Sequence, residues 1–159
     1  MKVSGDEIAG IVDIFGALTR QELGQALVEL AFKRGEEREP SSFDAEIDEA
    51  IDTYQLLGLD GDAVDPSVNE TALVPGPAAF PTLPDQAEDL RHILDVPERT
   101  VDDNRAGEIA ADRLHEEAVI AIRTGDHDEL RRLIDLSYDI ELWAPVSLSE
   151  TRRRMEDEL

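Results

Sequence analysis

The sequence predicts a mainly α, compact multi-helix domain of about six or seven helices, with room for a short β-hairpin near residues 62–75. Three observations lead there. Apolar residues make up 41% of the 159-residue chain, enough to build a real interior. Aromatics supply only 4%, so that interior must be mostly Leu, Ile, Val and Ala, which favours packed helices over a β-sandwich. Apolar residues recur at three- and four-residue spacing along most of the chain, in stretches that stop at glycine or proline.

Taken in order, Ile8, Ile11, Val12 and Phe15 mark a first helix that stops at Gly16. Thr19 followed by Glu22 is a capping box opening a second helix. Its apolar stripe is Leu23, Ala26, Leu27, Leu30 and Ala31, and Lys33 and Arg34 suit the negative end of the dipole before Gly35. After a polar connection containing Pro40, Ser41 or Ser42 caps a third helix, Phe43–Leu57, with Ile47, Ala50, Ile51 and Tyr54 inward. Asp44, Asp48 and Asp52 stand four apart on it, and like charges at that spacing repel.

Half of the eight prolines fall between Pro75 and Pro84, a density that excludes a helix or a central strand. Just before them, Ala63–Asp65 and Thr71–Val74 are expected to pair across Pro66–Glu70. Beyond them, Thr82 and Pro84 open a helix with Ala87, Leu90, Ile93 and Leu94. Thr100 and Asp103 lead into a long helix with Ile109, Ala110, Leu114, Ala118, Val119 and Ile122, closed by Gly125; roughly twenty residues at 1.5 Å each span about 30 Å. Asp126 with Glu129 forms a second capping box, with Leu130, Leu133 and Ile134 facing inward and Asp128 placed to pair with Arg132. Ser149 caps a last helix holding Arg152, Arg153 and Arg154. The expected organisation is a three-helix unit over 1–75, a proline-rich connection over 76–84, and a helical unit over 85–159 sharing one core with the first.

Charge is the strongest single signal. Thirty-eight Asp and Glu face fifteen Lys and Arg, a net charge of -23, and only Lys2 and Lys33 are lysine. The acids run through the whole chain, so they describe a surface rather than a tail. In dilute buffer such a surface works against its own compactness. In molar salt the Debye length falls to about 3 Å and the repulsion is largely screened. Carboxylates also keep a protein soluble where salt strengthens apolar association. The composition, with the segments Phe15-Gly16-Ala17-Leu18-Thr19-Arg20 and Pro75-Gly76-Pro77-Ala78-Ala79-Phe80-Pro81, resembles a family of small acidic haloarchaeal proteins with no assigned function.

Several chemistries drop out. The absence of cysteine removes disulfides, thiolate metal sites and thiol nucleophiles. No glycine-rich phosphate loop and no Gly-x-Ser-x-Gly is present. His92, His115 and His127 lack a histidine partner at ligand spacing. No apolar run reaches the ~18 residues of a membrane helix. Met1–Glu7 lacks an apolar signal core, so a cytoplasmic location is expected. No catalytic, cofactor-binding or metal-binding residue is singled out.

Three helices and a hairpin over residues 4–75, with Leu18-Thr19-Arg20-Gln21-Glu22-Leu23 opening the second helix, also resemble a winged helix-turn-helix. That resemblance implies a third helix in the DNA major groove. Here Phe43–Leu57 carries five acids and no base, so direct DNA binding is disfavoured; Lys33, Arg34 and Arg38 are the alternative nucleic-acid contacts. The leading expectation is a non-catalytic interaction or adaptor module that binds another protein or itself. Its candidate contacts are Phe80, Tyr138 and Trp143. A carboxylate-based enzyme is the remaining alternative.

Overall fold

A computed structural model describes residues 1–159. The fold is mainly α, with seven helices and small antiparallel sheets. It divides into two compact units, Met1–Asp102 and Asp103–Leu159. The proline-rich stretch 76–84 therefore lies inside the first unit.

The first unit begins with helix α1 (Gly5–Phe15), capped by a Ser4/Glu7 box that the sequence carries as Ser-x-x-Glu. A two-residue strand β1 (Leu18–Thr19) leads into α2 (Arg20–Lys33), whose Thr19/Glu22 capping box is formed as expected. A 3₁₀ turn over Pro40–Phe43 precedes α3 (Asp44–Asp52). Strands β2 (Leu56–Leu59) and β4 (Ala72–Pro75) pair antiparallel, and β1 joins the other edge of β4, giving the order β1-β4-β2. Ile8, Ile11, Val12 and Phe15 of α1 meet Leu23, Leu27 and Leu30 of α2, with Phe43, Ile47, Leu56, Leu73 and Leu90 completing one apolar core.

Three sequence expectations change here. The third helix ends at Asp52 instead of running to Leu57. Tyr54 turns the chain with φ 61° while its ring is fully buried, and Leu56–Leu59 become a strand because β4 offers backbone partners. The hairpin partner of β4 is thus β2; the expected strand, β3 (Val64–Asp65), pairs instead with β5 (Thr100–Val101). The helix expected after Pro84 shrinks to a single turn, α4 (Leu90–Ile93).

Residues 94–101 strap across the junction of α1 and α2. The Arg99 amide donates to Phe15 O at 2.8 Å, and its guanidinium, 6% exposed, forks onto Glu22 at 2.6 and 3.0 Å and reaches Ala17 O. Arg91 pairs with Glu98 and donates to Ile14 O. Gly16, at φ 83°, makes this approach feasible: a methyl group there would strike the Arg99 carbonyl.

The second unit is three helices: α5 (Asp103–Thr124), α6 (His127–Trp143) and α7 (Ser149–Glu156). Their shared core is Ala110, Leu114 and Ala118 with Leu130, Leu133, Ile140 and Met155. Asp126 accepts the Glu129 amide at the start of α6, but the Glu129 carboxylate turns to Arg132 instead of closing the expected capping box. The expected Asp128–Arg132 pair is replaced by two three-apart pairs, Asp128–Arg131 and Glu129–Arg132. Ser149 is the first residue of α7 rather than its cap; the Glu141 carboxylate of α6 takes the Leu148 amide at 2.8 Å.

Candidate functional site

Phe80 is the most exposed aromatic in the chain, at 79%. Its backbone is fixed by α1: the Phe80 amide donates to Asp6 Oδ1 at 3.0 Å and the Thr82 amide to Asp6 O at 3.0 Å. Thr82 Oγ1 closes the turn onto Phe80 O at 2.9 Å. The same Asp6 carboxylate receives Gln55 Nε2. Gly10 lets the segment lie flat on α1, since a side chain there would meet the Thr82 carbonyl. The aromatic ring is therefore displayed on a rigid support, with Leu83 partly exposed three residues on.

Lys33, Arg34 and Arg38 are close in sequence but spend their donors on their own chain. Lys33 Nζ reaches Gln86 O and Asp89 Oδ2, each at 3.1 Å, and Arg34 donates to Asp85 O at 2.8 Å. Together they pin the segment after the prolines to the end of α2. Arg38 stacks over Phe43 at 4.4 Å and binds Ser42 and Met1 O. On α3, Asp44 and Asp48 are both engaged by Arg20 of α2, so the acidic stripe is partly neutralised by a residue that its own helix does not contain.

In the second unit Tyr138 is half-exposed, and its ring face carries the Arg152 guanidinium at 4.0 Å. Arg152 also forks onto Glu141 and donates to Ser137 Oγ at 2.9 Å, tying α7 to α6. Trp143 is half-buried and lines a cleft of about 360 Å³ with Asp103, Asn104, Ala106, Ala144 and Pro145. Of the three expected contacts, Phe80 is freely displayed, while Tyr138 and Trp143 each pack against their own unit.

Sequence reasoning missed Leu142, which is 88% exposed. The signal was present: carrying the inward phase of Leu130, Leu133, Leu136 and Ile140 along α6 puts Leu142 outside. It also missed the Glu22–Arg99 clamp, whose partners are 77 residues apart.

Two carboxylates engaged by arginines have shifted acidities. Burial works to raise the Glu22 carboxyl, but hydrogen bonds from Arg99 and the Thr19 amide outweigh it, leaving the group below its ordinary value. The Leu148 amide, then Arg152, lower Glu141 likewise. Both shifts run opposite to what a general acid needs. No group of three or more His, Cys, Asp or Glu side chains is placed to hold a metal ion. No helix is long and apolar enough to cross a membrane.

Fold and surface define a small, mainly α protein with a three-stranded antiparallel sheet in its first unit. The chain belongs to a family of unknown function, DUF7109, whose model matches residues 6–159. No curated protein and no solved structure matches it.

Proposed function

We propose that this protein is a non-catalytic interaction module of a salt-accumulating, haloarchaeal-type cytoplasm, and that it binds another protein through the surface around Phe80. The observation carrying this reading is the exposed Phe80 ring on a turn held by Asp6 and Thr82. Large aromatics dominate interface energetics, and a contact already held in place loses little conformational entropy on binding. The carboxylate coat supports the brine setting, where screening removes long-range repulsion between acidic surfaces.

Chemical crosslinking of the full chain in cell extract brought to molar potassium chloride tests the module. A discrete adduct with a second protein, of a mass other than two copies of this chain, should form with wild type and disappear with Phe80→Ala, whose circular dichroism stays unchanged. Such an adduct surviving Phe80→Ala, or its absence from wild type, would remove Phe80 from the proposal.

One observation favours a second reading, a winged-helix transcription regulator. The order α1-β1-α2-α3-β2-β4, interrupted by β3 before β4 and with β4 paired between β1 and β2, supports the resemblance to a winged helix-turn-helix. Its groove-reading helix would be α3, where Asp44, Glu46, Asp48, Glu49 and Asp52 face phosphate with no base among them. We therefore expect the arrangement to serve packing and protein contact. A gel shift on promoter DNA in high salt, abolished by Arg34→Glu with Arg38→Glu, would reverse that order of preference.

A further inference from the structure

The second unit carries a half-open apolar groove that its own core leaves unfilled. Positions 115, 118, 119, 122 and 123 share one face of α5, and Thr151 and Arg154 of α7 face them across about 250 Å³. Ala118, Val119 and Ile122 form the floor. His115 Nδ1 stands 3.3 Å from Thr151 Oγ1 at one wall, while Arg123 and Arg154 supply guanidinium groups at the rim. Arg154 touches only the exposed Glu150, at 3.0 Å.

Size and charge narrow the occupant. The volume falls below the ~300–1,000 Å³ typical of small-molecule pockets and suits one large apolar side chain. Two arginines beside an apolar floor, in a chain carrying 38 acids, favour an anchor flanked by carboxylates. The same unit displays such an anchor. Leu142 projects from the last turn of α6, with Asp139 and Asp135 three and seven residues before it on the same face. Glu141, by contrast, is turned onto Arg152 and Leu148.

We propose that a second copy of this chain fills the groove, Leu142 of one copy seating on Val119 and Ile122 of the other while Asp139 meets Arg123 and Asp135 meets Arg154. Each copy offers one anchor and one groove, so a two-fold arrangement satisfies both at once and closes as a dimer. Two seats in one assembly are what offset the entropy of association. This goes beyond the interaction reading above, which rests on Phe80 in the first unit.

Sedimentation equilibrium of the full chain in molar potassium chloride tests it. Wild type should show the mass of two chains, while Val119→Glu and Leu142→Glu should each show one, with unchanged circular dichroism. Phe80→Ala should leave the dimer intact, which separates this result from the fate of the other surface. Arg123→Glu and Asp139→Arg should each weaken association about tenfold, the equivalent of about 1.4 kcal/mol. Mixing those two variants should restore wild-type affinity, because both seats of the mixed dimer then pair opposite charges. A single-chain mass at every concentration would overturn the proposal, even if the groove then took an acidic peptide or an aliphatic carboxylate. So would a dimer indifferent to all four substitutions.

Discussion

Glu22 closes the cap of α2 through the Thr19 amide and neutralises Arg99, a guanidinium that burial would otherwise make costly. The Thr19/Glu22 half of this was legible, because a capping box lies within four residues. The Arg99 half was not, since nothing local marks a partner 77 residues away. The folded carboxyl sits below its unfolded value near 4.5, so the stability it contributes is complete above that pH and is lost as pH falls through the folded value. Glu22→Gln should therefore cost about 2–3 kcal/mol at neutral pH and flatten the acid limb of a urea-unfolding profile. An acid limb unchanged in the variant would show that other carboxylates govern it.

Among the elements, α1 and the proline-rich segment behave as one piece. Gly10 sits mid-helix, where glycine normally weakens a helix, yet a methyl there would press on the Thr82 carbonyl. Gly10→Ala should thus destabilise by about 1–3 kcal/mol despite its better helix propensity, and should speed proteolysis near residues 76–84. Thermal unfolding with limited digestion checks both; a stabilised variant would mean the segment is only loosely held. Helix phase located α1, α2, α5 and α6 from the sequence. It failed at Leu56–Leu59, where an apolar run reads equally as a helix end or a strand and only pairing with β4 decides. It placed the acidic stripe of α3 on the exposed face but did not reveal its countercharge, because Arg20 belongs to another helix.

For the whole molecule the governing quantity is a net charge of -23. Local pairs such as Arg20–Asp48 relieve individual contacts, but fifteen cationic side chains leave most of the coat uncompensated. Unfolding free energy should rise steeply from dilute buffer to molar potassium chloride, as screening shortens the reach of every carboxylate. Urea titrations at the two salt levels measure this directly. Equal midpoints would mean that the acids serve a cationic target instead of brine.

Composition and periodicity by themselves determined the helical class, the aliphatic core and the long helices with their caps, because each depends on residues within one or two turns of each other. Tertiary structure alone decided the strand partners, the strap through Arg99, and which apolar side chains stay outside. Those outcomes depend on groups brought together from distant parts of the chain. Phe80 stands out in the sequence as an aromatic within the proline-rich segment, but its outward display required the Asp6 carboxylate on a different element. Leu142 differs: its own helix carries the phase, and only the packed unit shows the groove that matches it.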